Sequence, residues 1–286
     1  MSRTSNGLVL VTGAAGNLGR EIVARLRADG AAVRGMVRTP PANAVHDLVM
    51  GDLTDGAEVR AALRDVDAVL LMWPFLGTAQ SGPVVDALTE SGTRVVYLSS
   101  TAIDAAADVG AEPDPIARTH ADMEALLSAT GVPVTVLRSD TLASNARGWR
   151  AQLAAGDVVR GPATAPTAVV DERDVAAASA AVLLDPRAGE LHRITGPRPI
   201  DRAEQVDALG AVLGRALRFE AVPYGAALAQ LLADGRPRAL AEAVVEAARS
   251  RPASRLVTDD LAALTGRVAR PFAQWARDRR AEFDAG

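Results

Sequence analysis

A doubly wound α/β fold, with a parallel sheet and a smaller C-terminal lobe, is the class this sequence predicts, and three observations carry it. Short β-rich runs alternate with amphipathic stretches over the first 140 residues, the pattern of strands joined by crossover helices. Gly30, Gly92 and Gly131 each follow an amphipathic stretch, where a left-handed helix C-terminus is wanted. The chain has 286 residues, 49% of them hydrophobic, enough for one large domain and an added lobe.

Strands are expected at 8–12, 32–37, 47–50, 68–72, 94–99 and 134–138, with helices at 18–28, 57–63, 83–91 and 116–130 between them. After Arg138 the alternation is no longer clean. Residues 139–148 read as loop, 174–184 and 201–213 as helices, and 191–195 as a strand between those two. Further helices are expected at 226–233, 239–250 and 271–283. The expected division is a nucleotide-binding core over 1–140 and a substrate lobe over 141–286 that returns a strand to the sheet. That boundary is soft, because such folds let the chain cross between lobes more than once.

Composition narrows the function classes. The net charge of −4 offers no basic surface for nucleic acid or an anionic membrane. The apolar runs at 8–11, 68–72 and 132–137 fall far short of the roughly 18–20 residues a span needs. A strand beginning at Leu8 leaves no room for a signal peptide, so a cytoplasmic location is expected. There is no cysteine, hence no disulfide, thiolate nucleophile or zinc–sulfur site, and no metal is expected. Lysine is absent too: all 31 basic side chains are arginine. The chain therefore has no side-chain amine for Schiff-base or acid–base work.

The strongest local signal is Val9-Leu10-Val11-Thr12-Gly13-Ala14-Ala15-Gly16-Asn17-Leu18-Gly19. It follows a hydrophobic strand and opens an amphipathic helix. Gly13 suits the tight turn, Gly16 the approach of a pyrophosphate, and Gly19 close helix–strand packing. Ala15, Asn17 and Leu18 complete this Rossmann-type turn. The second strand selects the cofactor. An NAD site places a carboxylate at its end, whereas this one ends in Val37-Arg38. A guanidinium there suits the 2′-phosphate of NADP+ or NADPH. Asp52 and Leu53, after the third strand, can flank the adenine, although Asp52 also fits a simple turn or N-cap. Trp73 and Phe75 end the fourth strand; two of only nine aromatics at one strand end favour a pocket wall over plain core.

At this point the chain resembles the atypical short-chain dehydrogenase/reductases of the nitrogen-metabolite-repressor-like, NAD(P)-binding group. The likeness runs through Gly13–Gly19, Val37-Arg38, Gly51-Asp52-Leu53, Val95–Ser100, Gly131–Arg138, Asp171–Ala176 and the tail from Leu261. Typical short-chain members use a Ser or Thr after the fifth strand and a Tyr-x-x-x-Lys pair. With Glu124 and Gly131-Val132-Pro133 as anchors, the lysine position falls on His120 and the tyrosine position on Ile116. The chain's tyrosines, Tyr97 and Tyr224, lie in a strand and in the second lobe. Only the serine seat can be filled, by Ser99, Ser100 or Thr101. His120 is either a ribose contact that can also pass a proton or a partly exposed helix histidine.

The expected function is NADPH-dependent reduction of a carbonyl on a sizeable aromatic substrate. Ser99, Thr101 and His120 are the candidate catalytic residues, and Trp73, Phe75, Asn145, Trp149 and Tyr224 the candidate pocket. The Ile and His replacements are similar to those of angucycline polyketide ketoreductases. A phenol beside the substrate's ketone would share its own proton there, leaving each catalytic side chain only about a tenfold role. Quinone or double-bond reduction is a related alternative. The rival from another class is a non-catalytic NADP sensor that regulates a protein partner, and the missing Tyr and Lys fit that equally.

Overall fold

The computed structural model describes residues 7–39, 47–185 and 187–284. In chain order the first half holds β1 (Leu8–Thr12), α1 (Asn17–Ala28), β2 (Ala32–Val37), β3 (Asp47–Met50), α2 (Gly56–Ala62), β4 (Ala68–Leu71), α3 (Gly82–Ser91), β5 (Arg94–Ser100), α4 (Ala102–Asp108), α5 (Pro115–Ser128) and β6 (Val134–Ser139). The second half begins with a 3-10 turn at Ala143–Trp149, then α6 (Arg150–Ala155), β7 (Val158–Gly161), α7 (Glu172–Leu184), β8 (Leu191–Ile194) and α8 (Arg202–Leu213). It ends with β9 (Arg218–Ala221), α9 (Tyr224–Ala233), α10 (Arg238–Ser250), α11 (Asp260–Thr265), α12 (Phe272–Asp278) and a 3-10 turn at Arg280–Glu282.

Seven parallel strands form the main sheet in the order β3-β2-β1-β4-β5-β6-β8. β4 is buried along its whole length, which is why its sequence is a continuous apolar run rather than an alternation. The chain winds outward from β1 to β3, then returns to place β4 on the other side of β1. That reversal leaves a crevice beyond the carboxyl ends of β1 and β4, where ligands of such sheets bind. One core layer packs α1 and α7 against the sheet. The other packs α2, α3 and α5 against its opposite face.

Local chemistry sets the helix starts. The Asp55 carboxylate accepts from Ala57 N and Glu58 N to open α2, and Asp114 accepts from Ile116 N and Ala117 N to open α5 with Pro115 in its first turn. Asp201 and Glu204 form a reciprocal capping box on α8. Gly92 closes α3 at φ 64°, in the left-handed region.

The second half does not stay apart from the first. α7 packs along α1, and β8 pairs with β6 from Val136↔Leu191 to Ser139↔Ile194. The remainder forms its own cluster around Trp275, Leu209 and Leu153, with β7 and β9 as a separate two-stranded parallel pair.

Several elements were not expected from sequence. α4, α6, α11, β7 and β9 are short and fall outside the regular strand–helix alternation that marked the others. The stretch read as loop over 139–148 carries the 3-10 turn at Ala143–Trp149. The helix expected over 271–283 stops at Asp278, and Arg280–Glu282 continues as 3-10. No helix among the described residues is long and apolar enough to cross a membrane.

Candidate functional site

The glycine turn shapes the first of two adjoining clefts. Gly13 has φ 61°, a conformation that side-chain-bearing residues rarely adopt. Its carbonyl accepts from Gly16 N at 2.9 Å, folding the turn over the start of α1. Gly19 packs so closely that an added Cβ would lie 2.2 Å from the Gly13 carbonyl oxygen. Thr12 ties this turn to the neighbouring strand end, its hydroxyl donating to Leu70 O at 3.2 Å and accepting from Met72 N at 2.8 Å.

The crevice that results has a volume of about 420 Å³. Gly13, Gly16, Asn17, Leu18, Arg38, Asp52, Leu53, Trp73, Phe75 and His120 all line it. Ala15 does not; it is half-buried against the α1/α7 core layer. Sequence reasoning missed Met36, Leu98 and Leu142 in the wall. Met36 and Leu98 sit near the carboxyl ends of β2 and β5, a position legible from the motif's frame. Leu142 is brought in by the turn after β6 and has no such signal.

Arg38 is exposed at the end of β2 and makes no ion pair among the described residues. Asp52 is held in a tight turn, its Oδ1 accepting from Thr54 N at 2.9 Å and Thr54 Oγ1 at 2.8 Å. These bonds hold its carboxyl below the ordinary carboxylate range, and Arg38 adds to the effect. The turn reading of Asp52 therefore applies, and Arg38 does have a carboxylate in its neighbourhood. Trp73 meets Phe75 edge-on at 4.9 Å between ring centroids, and its Nε1 donates to Gly77 O at 2.9 Å.

A second cleft of about 370 Å³ opens on the other side of His120. Leu98, His120 and Leu142 belong to both walls. Ser99, Ser100, Ile116 and Asn145 also line it, as do Val244 and Ala247 from α10. Two expected pocket aromatics lie elsewhere. Trp149 packs into the second-half core with the Arg202 guanidinium 5.6 Å from its ring centroid. Tyr224 is exposed at the start of α9, outside both clefts.

The catalytic candidates separate sharply. Ser99 Oγ donates to Glu124 Oε1 at 2.5 Å, and Arg138 binds the same carboxylate in a two-pronged contact at 2.6 and 3.0 Å. Thr101 is buried, donates to Asp140 Oδ2 at 3.2 Å and lines neither cleft. Both hydroxyls are thus committed to structural carboxylates. His120 is not. Its Nδ1 lies 2.9 Å from the hydroxyl of Tyr97, a residue wholly buried in β5. That contact gives Tyr97 a place in the site that the sequence did not suggest, since it stands 23 residues away on another element.

The Tyr97 contact fixes the tautomer of His120. Burial pushes the Tyr97 phenol far above its ordinary value, so it keeps its proton. A phenol that accepted from an Nδ1–H would leave its own O–H without an acceptor in the core. Tyr97 therefore donates, Nδ1 accepts, and the imidazole proton sits on Nε2. Nε2 has no hydrogen-bond partner among the described residues. Burial, first, and the Arg251 charge push His120 down to about 4, while Glu124 and Asp114 pull the other way. The ring is neutral at physiological pH.

This depression has a stability consequence. As the folded-state value lies below the unfolded value of about 6.5, the unfolded chain takes up the proton first when pH falls. Stability is then lost from about pH 6.5 down through about pH 4, by up to about 3 kcal/mol. Unfolding of wild type and His120→Gln across that window should show the difference between them shrinking with falling pH; a constant difference would exclude it.

Fold and clefts together define a Rossmann-type α/β protein of the atypical short-chain dehydrogenase/reductase class. The chain belongs to the NmrA-like family, whose profile matches residues 5–255. It is 36% identical to a (4-alkanoyl-5-oxo-2,5-dihydrofuran-3-yl)methyl phosphate reductase from Streptomyces griseus, over 96% of this chain and 99% of the relative. It is 27% identical to an NAD(P)H azoreductase from Xenophilus azovorans, over 97% of this chain and 100% of the relative. Among solved structures it resembles the Citrobacter sp. triphenylmethane reductase complexed with NADP(H), with TM-score 0.76, 22% identity, and 95% and 99% of the two chains covered. That last likeness shows the shared fold.

Proposed function

We propose that this chain is an NADPH-dependent reductase acting on a carbonyl-conjugated ring compound held in the second cleft. The observation that carries the reading is His120, placed in the wall of both clefts with Nδ1 engaged by Tyr97 and Nε2–H free. The glycine turn fits a pyrophosphate, since its close backbone packing leaves no side chain over the start of α1. Arg38 would take the 2′-phosphate at the far end of the same crevice, and Trp73 and Phe75 would flank the nicotinamide half. When bound, the cofactor supplies hydride from C4 of its nicotinamide. The neutral His120 Nε2–H donates to the substrate carbonyl oxygen as negative charge builds there. The final proton comes from water or from a phenol on the substrate.

Two substrate candidates fall within this class. One is the phenol-flanked ketone of an aromatic polyketide, supported by the Ile116 and His120 replacements. The other is an unsaturated furanone, supported by the 36% identical relative. The cleft favours the smaller compound, since Trp149 and Tyr224 lie outside it and its apolar wall is aliphatic. NADPH oxidation should be followed against a panel of quinones, enones, butenolides and hydroxyaryl ketones. Tight NADPH binding without oxidation across the panel would favour the regulatory sensor instead.

The cofactor half of the reading has its own test. Arg38→Ala should weaken NADPH binding by roughly ten- to hundredfold and leave NADH nearly unchanged. Fluorescence titration of both cofactors decides it, and equal wild-type affinities would remove Arg38 from that role.

A further inference from the structure

Arg202 differs from the part-buried arginines that face a carboxylate, and from Arg34 and Arg94, which make no ion pair among the described residues but each donate to two backbone carbonyls. Arg138, Arg147, Arg173 and Arg270 each face a carboxylate within 3.2 Å. Arg202 lines the second cleft and makes no ion pair among the described residues. Its one hydrogen bond among the described residues is a long 3.5 Å contact to Gln205 Oε1. The guanidinium is held over the Trp149 ring, 5.6 Å from its centroid, so its position is set by packing and not by an opposing charge. Burial alone lowers its pKa, with no carboxylate contributing. Arg251, in the same wall, uses Nε on Asp114 Oδ2 at 2.8 Å and has no other hydrogen-bond partner among the described residues. The carboxylate lining this cleft is Asp140, already satisfied by Thr101 Oγ1 and Thr141 N and pushed towards its neutral form by burial.

An unpaired cation in a part-buried wall is costly unless something neutralises it. We infer that the second cleft is an oxyanion subsite in which Arg202, with Arg251 beside it, binds a phosphate ester or carboxylate carried by the substrate. The inference rests on the second cleft being the substrate cleft, and it adds the substrate's charge. A guanidinium presents paired N–H donors to either anion. The anion fixes the orientation of the compound, so that its carbonyl is presented to His120 rather than to the mouth of the cleft.

The test is binding, which needs no turnover. Phenyl phosphate, benzoate and benzyl alcohol are titrated calorimetrically into protein saturated with NADP+, which keeps phosphate out of the site at Arg38. Phenyl phosphate or benzoate should bind at least tenfold more tightly than benzyl alcohol, and the stronger of the two identifies the group. Arg202→Gln should abolish that preference while Arg202→Lys retains part of it, with NADPH affinity unchanged in both. No preference for the anions in wild type overturns the inference, as does an undiminished preference in Arg202→Gln. Should the variants not fold, the wild-type comparison alone decides. Anion binding without NADPH oxidation by any panel compound would refute the reductase reading and leave the subsite standing.

Discussion

Gly19→Val is expected to lose NADPH binding and stability together, whereas Gly16→Val loses the cofactor and keeps the fold. At position 19 the new Cβ would fall 2.2 Å from the Gly13 carbonyl oxygen and 2.9 Å from Ala14 Cα. Both are backbone atoms of the turn, so neither can swing aside, and α1 must move away from β1. Overpacking of this kind costs about 3 kcal/mol or more, roughly a 5–10 °C fall in melting temperature for a chain of this size. At position 16 the nearest atom to an added Cβ is the same carbonyl at 3.2 Å, which a small shift relieves. The backbone there is already extended, at φ −70° and ψ 168°, and accepts any L residue. What the valine obstructs is the space above the helix start, where the pyrophosphate would lie. Thermal unfolding with NADPH titration separates the two. A Gly16→Val protein that binds NADPH normally would place the phosphate site elsewhere.

His120→Ala should reduce turnover by about 10²- to 10³-fold with NADPH still bound. That range is typical for removal of one pre-aligned donor to a developing oxyanion. It exceeds the tenfold role expected when a phenol on the substrate shares its own proton with the ketone, so a loss in this range would argue against that assistance. The hydroxyls of Ser99 and Thr101 are occupied by Glu124 and Asp140, which leaves His120 as the candidate donor. The neutral-donor role has a signature of its own. Turnover should be flat between about pH 5.5 and 8.5, because an imidazole pushed down to about 4 does not titrate there. Tyr97→Phe removes the group that fixes the tautomer and should cost about tenfold in kcat with little change in KM. His120→Gln, which keeps an N–H donor, should recover part of the loss. A bell-shaped profile centred near pH 6.5 would instead make His120 a titrating acid.

The strand–helix alternation located β1 to β6 in the sequence to within a residue, because each apolar strand run is followed by a turn and an amphipathic helix or, after β2, by the next strand. The nucleotide cleft was equally legible: a glycine turn, the end of β2 and the end of β4 are each contiguous with their element, and the fold brings strand ends together by rule. Elements such as β7, β9 and α4 fall outside that alternation, and the packing of neighbours determines them instead. The candidate catalytic arrangement was legible only in part. His120 stood out by register, yet nothing local shows that Tyr97 lies behind it. β5 and α5 belong to different stretches of chain, and only their packing brings the phenol to Nδ1. The same limit explains Trp149 and Tyr224, whose residue type suggested a pocket while the fold placed them elsewhere. The sequence by itself determined the sheet, its switch point and the residues around the phosphate turn, because those follow from local periodicity and backbone sterics. Tertiary structure alone decided which hydroxyls are free, which tautomer His120 holds and that Arg202 has no counter-ion, because each depends on what side chains distant in sequence place within a hydrogen bond's reach.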